Sequence, residues 1–151
     1  MRVGIISETH GLLRPEAACA LAGVDLIVHA GDVGNAAILA KLKEIAPVFA
    51  VRGNVDTEEW AKELPETTVV DAGAACFYVL HNLRELDVVP EAAGFHAVIS
   101  GHTHQVEQSE KNGVLYLNPG SAGPKRFHLP VTLAVVEVET KPWQVQIVEL
   151  V

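Results

Sequence analysis

Five short motifs in this chain carry residues able to do chemistry: Glu8-Thr9-His10, Gly31-Asp32, Gly53-Asn54, His81 and Gly101-His102-Thr103-His104. Together they supply seven N and O donors, Glu8, His10, Asp32, Asn54, His81, His102 and His104, and no thiolate. Such a set of imidazoles, carboxylates and an amide suits a pair of divalent ions better than a structural zinc. Two ions sharing a carboxylate are a known device for attacking phosphate esters.

Taken singly, each motif has an ordinary structural explanation. Glu8-x-His10 fits a solvated turn, and Asp32 fits a helix cap. Gly31 lets the chain turn and come close to a ligand. Asn54 offers a neutral, hard carbonyl oxygen acceptable to Mn²⁺, Fe²⁺ or Mg²⁺, although Gly-Asn turns are frequent. A lone histidine such as His81 after an apolar run is usually structural. His29 lies inside an apolar run and reads as a core histidine, or one that supports a ligand from behind. Gly101-His102-Thr103-His104 is the strongest local signal. In an extended chain its two imidazoles point the same way; in a turn they diverge toward two ions. Asn118-Pro119-Gly120-Ser121 reads as a tight turn, either plain or shaping a pocket wall.

The elements that must position these motifs are apolar, strand-like runs at 3–7, 24–30, 48–51, 76–80 and 97–100, each ending where a motif begins. A helix is expected at 15–22, with Pro15 in its first turn, and another at 35–45 capped by Asn35. Ile38, Leu39, Leu42 and Ile45 would face inward, and Pro47 stops the second helix. This βαβαβ order implies a parallel sheet. After a loop and short helix at 54–65 the chain turns β-rich, with runs at 67–71, 74–80, 114–118, 131–138 and 143–150. One helix is expected near 84–93. The fold class is therefore α/β, two sheets packed as a sandwich with helices outside, in one domain over 1–151. Parallel strands end along one sheet edge, and ligands bind beyond those ends.

Composition sets bounds on this picture. Apolar residues make up 49 % of the 151 residues and charged ones 20 %, an ordinary globular balance. The net charge of −8 argues against a broad nucleic-acid surface, which needs a basic stripe. An anionic small substrate stays open, because bound divalent ions would locally overturn the acidic average. No apolar run is long enough for a membrane span, and no signal-peptide pattern opens the chain, so cytoplasmic residence is expected. Cys19 and Cys76 have no CxxC partner and read as buried free thiols.

In their order and spacing, Ser7-Glu8-Thr9-His10, Gly31-Asp32, Gly53-Asn54-Val55-Asp56, His81, Gly101-His102-Thr103-His104 and Asn118-Pro119-Gly120-Ser121 resemble the calcineurin-like metallophosphoesterases. Among these the chain is similar to the small phosphodiesterases of the YfcE type, over nearly its whole length. The resemblance implies a four-layer αββα sandwich of two mixed sheets. It implies one ion held by Glu8, His10, Asp32 and His104, and a second held by Asp32, Asn54, His81 and His102. Asp32 would bridge the two ions, and Asp32, Asn54 and His102 would form the catalytic group. Manganese is the leading metal, with Fe, Zn, Ni or Co as others. The implied reaction is hydrolysis of a small phosphodiester, with hydroxide bridging the ions as nucleophile. Homo-oligomers occur in the family, and a small phosphate ester is the expected partner. Arg14, Arg52 and the Lys125-Arg126 pair read equally as phosphate or substrate contacts and as ordinary surface cations.

Three positions depart from the family pattern. Glu8 stands where the family has Asp, and its extra methylene adds roughly 1.5 Å of reach. That is large against the ~0.2 Å sensitivity of metal geometry, so the first metal position is expected to shift or weaken. Val55 stands where larger members carry a leaving-group histidine, so modest activity or a good leaving group is expected. Asn82 replaces a glycine and would narrow the pocket. A second class of function stays open on the same fold: a binding scaffold with a degraded metal site, as a retromer subunit is. Retention of His10, His81, His102 and His104 favours chemistry, and Glu8 alone points to decay. A mononuclear hydrolase lies between the two.

Overall fold

The computed structural model describes residues 1–151. In chain order the elements are β1 (Arg2–Ile6), α1 (Pro15–Ala20), β2 (Leu26–His29), α2 (Ala36–Lys43), β3 (Val48–Ala50), β4 (Thr67–Ala72), β5 (Ala75–Leu80), α3 (Pro90–Ala93), β6 (Ala97–Ile99), β7 (Val106–Lys111), β8 (Val114–Pro119), β9 (Thr132–Glu137) and β10 (Gln144–Glu149). Two five-stranded sheets form, ordered β10-β9-β1-β2-β3 and β4-β5-β6-β8-β7. In the first, β1, β2 and β3 run parallel while β9 and β10 are antiparallel. In the second, β5, β6 and β8 run parallel between antiparallel edge strands.

Side-chain alternation distributes the apolar residues among three layers. Val3, Ile5 and Val28 from the first sheet meet Phe77, Val79, Ile99 and Leu117 from the second, forming the core between the sheets. On the outer face of the first sheet, Ile6, Ile27 and Leu133 pack under Ala17 and Leu21 of α1 and Ile38 and Leu42 of α2. Outside the second sheet, Tyr78, Leu80, Val98 and Val114 are covered by Leu83, Leu86 and Phe95. Central strands buried on both faces explain why the runs read as continuously apolar. Burying a side chain such as Phe77 or Leu117 this fully contributes roughly 1.5–3 kcal/mol each.

Local signals place the helices. Pro15 opens α1. Asn35 caps α2, its side chain accepting a hydrogen bond from the Ile38 amide, and Lys41 and Lys43 complement the helix dipole in the last turn. The helix expected near 84–93 is instead two pieces, a 3₁₀ turn at Leu83–Glu85 and the single-turn α3. Pro90 divides them, since it lacks an N–H and disfavours helical backbone at the residue before it. β7 is a strand that the sequence pattern does not predict. It is an edge strand, Val-Glu-Gln-Ser-Glu-Lys, whose residues beyond Val106 are all exposed, so no apolar alternation marks it. The turn joining it to β8, Asn112-Gly113, has φ of 53° and 79°, both left-handed as such hairpins require. Both cysteines are free, but neither is fully buried: Cys19 is exposed on the face of α1 opposite Ala17, and Cys76 is half-buried. No helix is long and apolar enough to cross a membrane.

Candidate metal centre

The carboxyl ends of β1, β2, β3, β5, β6 and β8 lie at one edge of the sandwich, and the loops after them carry all seven donors. Hydrogen bonds run directly between these loops. The Glu8, His10 and Gly11 amides donate to the carbonyls of Gly31, Asp32 and Val33, at 3.1, 3.0 and 2.8 Å. The Gly101 amide donates to the His81 carbonyl at 2.9 Å, joining the loops after β5 and β6 within the second sheet. The loops are tightly turned: Glu8, His10, Asp32, His102 and His104 all have positive φ, from 45° to 71°. Only Asn112 and Phe127 share this among the other non-glycine residues. Left-handed backbone costs of order 1–3 kcal/mol at such a residue and concentrates at functional sites. A β-carbon on Gly53 would run into the Asp32 carboxylate, and one on Gly31 would stand 2.6 Å from His81 Nδ1. These two glycines therefore let the loops close around the donors.

The donors converge as two groups with Glu8 in both. Glu8, His81 and His102 form one, and Glu8, His10 and His104 the other, with ligand atoms within 4.8 Å of one another in each. Glu8 Oε2 is 3.0 Å from His10 Nε2 and 3.7 Å from His104 Nε2, while Glu8 Oε1 is 3.7 Å from His81 Nε2. Asp32 Oδ2 lies between the groups, 3.3 Å from His81 Nε2 and 3.9 Å from His10 Nε2. Asn54 Oδ1 is 3.0 Å from His81 Nε2 and 3.2 Å from His102 Nδ1. Atoms bound at about 2.1 Å to one ion stand roughly 3.0–3.5 Å apart at tetrahedral or octahedral angles. Four of the seven spacings fall in that range, and the other three are 3.7–3.9 Å.

Buried polar atoms test whether cations fit. Glu8 is 0 % exposed, yet neither carboxylate oxygen has a hydrogen-bond partner, and His10 Nε2 has none either. An unpaired carboxylate in such surroundings is costly unless it meets a cation. Burial, then the neighbouring Asp32 carboxylate, pushes the Glu8 carboxyl up to about 8. Burial lowers His10, and burial followed by the Arg126 charge lowers His104 to about 4, leaving both imidazoles in the neutral, ligating form at pH 7. Burial also acts against ionisation of Asp32, but hydrogen bonds from His81 and the Val55 amide outweigh it and hold the group below the usual carboxylate range. His81 is raised: burial opposes its charge, but Asp32 and the Ala30 carbonyl prevail. The donor set and its orphaned oxygens fit divalent ions.

Several supporting residues show their contacts only in the structure. Asp56, 3 % exposed, accepts hydrogen bonds from the amides of Val33, Gly34 and Gly53, clamping the Asp32 loop to the Asn54 loop. Its position two after Asn54 was visible in the sequence, but its role was not. The Asn118 side chain donates to the Gly101 carbonyl at 2.9 Å and the Thr103 hydroxyl at 3.1 Å, so the 118–121 turn braces the histidine loop. His29 supports from behind: its Nδ1 accepts from the Gly31 amide, so its Nε2 donates to Thr9 Oγ1, which in turn donates to the Val33 carbonyl. Asn82 turns its oxygen back to the Arg84 amide. Among the candidate cations, Arg14 is tied to the Gly123 carbonyl, and Arg52 pairs with Glu66 beside the donors. A cleft of about 860 Å³ opens from Asn54, His81 and His102 past Arg52 and Lys62 to Glu85 and is lined mostly by polar groups.

Two facing mixed sheets with N/O donors along a shared carboxyl edge define a metallophosphoesterase-like fold. The chain belongs to the calcineurin-like phosphoesterase superfamily, whose domain pattern matches residues 1–141. A Methanocaldococcus jannaschii protein named a probable metallophosphoesterase is 34 % identical over 93 % of this chain and 78 % of its own. The solved structure of an archaeal phosphodiesterase superimposes with a TM-score of 0.81 at 24 % identity, covering 98 % of this chain and all of that one. Vps29 from Entamoeba histolytica, in complex with zinc, superimposes with a TM-score of 0.75 at 21 % identity over the full length of both. These two structures show a shared fold.

Proposed function

We propose that this chain is a phosphodiesterase working with two divalent ions, manganese first among them, on small phosphodiesters. The observation that carries the reading is the buried Glu8 carboxylate, which has no hydrogen-bond donor and is set between two groups of imidazoles. His10, His104 and Glu8 would hold one ion, and Asn54, His81 and His102 the other, with Asp32 between them. Ions held there supply a water nucleophile at neutral pH and stabilise developing negative charge on phosphate.

The chain's own residues do the rest. The Val55 amide donates to Asp32 Oδ1 at 3.0 Å, which fixes the carboxylate with Oδ2 toward the centre. Asp56 holds the loops on either side of it in register. His102 is exposed at the cleft mouth, within reach of both the centre and a phosphate placed in the cleft. Arg52 and Lys62 line the same cleft but pair with Glu66 and Glu59, so bound ions would supply the charge that attracts an anionic substrate. Val55 offers no proton for a leaving group, so the reading favours esters whose alcohol leaves readily.

The test is hydrolysis of bis(p-nitrophenyl) phosphate by chelated protein resupplied with Mn²⁺. Activity that vanishes on chelation and returns with the ion supports the reading. Activity untouched by exhaustive chelation overturns the metal mechanism. Protein that is inert with every divalent ion tried is instead a binding scaffold on this fold.

A further inference from the structure

We propose that Glu8 is a second bridging carboxylate, spanning both ions through its two oxygens, so that the two metal sites fill together. The inference rests on the two-ion reading above. It concerns the residue at which this chain departs from the aspartate of its family pattern.

The two carboxylates at the centre are held differently. Asp32 Oδ1 accepts from the Val55 amide, which leaves Oδ2 as the oxygen turned to the centre, between His10 and His81. Asp32 is therefore oriented to bridge through that single atom. Both oxygens of Glu8 are free. They point to different partners: Oε2 to His10 and His104, Oε1 to His81. Glu8 is the one residue common to the two ligand groups.

The backbone keeps the side chain there. The Glu8 amide donates to Gly31, and its carbonyl accepts from the Gly123 amide at 3.1 Å and Ser121 Oγ at 3.3 Å. With its root pinned, an aspartate would fall about 1.5 Å short of the Glu8 carboxyl position. It would serve one group and release the other. A carboxylate fixed by the first ion on one oxygen presents the second oxygen already oriented, so the second ion binds to a site partly built.

The experiment is a Mn²⁺ titration followed by calorimetry and by the exchange-coupled signal of a manganese pair in electron paramagnetic resonance. Wild type, Glu8→Asp and Glu8→Gln are compared, with far-UV circular dichroism as the folding control. Wild type is expected to take two ions, the second at least as tightly as the first. Glu8→Gln should weaken both ions, each by no less than the roughly 10–100-fold that loss of an outer-shell partner costs. Glu8→Asp should bind the second ion about tenfold or more weakly than the first and lose the coupled signal. Should Glu8→Gln fail to fold, Glu8→Asp, which keeps the charge, decides alone. A Glu8→Asp titration identical to wild type, or a Glu8→Gln protein that loses one ion and keeps the other at full affinity, overturns the bridge alone. Wild type binding fewer than two ions overturns the two-ion reading, and the bridge with it.

Discussion

The Nδ1–H of His81 donates to the Ala30 carbonyl at 2.7 Å, and this bond turns the ring's Nε2 toward Asp32 Oδ2, 3.3 Å away. A strand end of one sheet thereby sets the tautomer of a histidine from the other. The centre depends on both sheets, and backbone groups fix His81 and Asp32 in it. The predictions below follow from that construction.

Asp32 is the carboxylate shared between the proposed ions. Asp32→Ala should lose bound metal at both sites and lower kcat/KM on bis(p-nitrophenyl) phosphate by about 10³-fold or more. Elemental analysis of the variant beside wild type checks the first part, and steady-state kinetics the second.

Chelated protein should lose stability as pH rises from 6.5 to 8. The Glu8 carboxyl, raised to about 8, and the raised His81 both contribute stability that is complete below their unfolded values and disappears as pH climbs through their folded ones. His10 and His104 are lowered, so their contribution is complete above 6.5 and does not change in this window. Added Mn²⁺ must displace the protons on Glu8 and His81, so its stabilising effect should grow over the same interval. Thermal melts with chelator and with Mn²⁺ at several pH values measure both trends.

Asp56 touches no proposed ligand atom yet holds three amides from the two loops. Asp56→Ala leaves these donors unmet and should cost about 3 kcal/mol, lowering Tm by roughly 6–12 °C. Metal affinity should fall about 10–100-fold. A melting curve and a Mn²⁺ titration read the two effects separately.

Val55 is 49 % exposed beside Asn54 and cannot protonate a leaving group. Val55→His should raise the rate on alkyl phosphodiesters by roughly tenfold or more and barely change that on nitrophenyl esters, whose leaving group needs no acid. The ratio of the two rates in variant and wild type is the measurement.

The sequence was most legible where burial leaves a pattern. Central strands such as Val3–Ile6 and Ala97–Ile99 are apolar on both faces, and the donors follow them directly. The seven donors therefore fell at the same sheet edge in the structure as in the sequence reading. β7 was illegible because an exposed edge strand has no buried face to impose alternation. Pro90 split the expected helix at 84–93, a break the proline itself signals. Asp56 and Asn118 stand in motifs the sequence shows, but their partners do not: they act across the chain, on amides and carbonyls up to 23 residues away, which spacing does not reveal. The division of Glu8 between two ligand groups is a matter of side-chain direction, and composition says nothing of it.

Metal stoichiometry tests the central claim most directly. Purified protein stripped with chelator, dialysed against Mn²⁺ and analysed by inductively coupled plasma mass spectrometry should carry two ions per chain. A content near zero, in folded protein, would contradict the account and leave this fold serving as a scaffold.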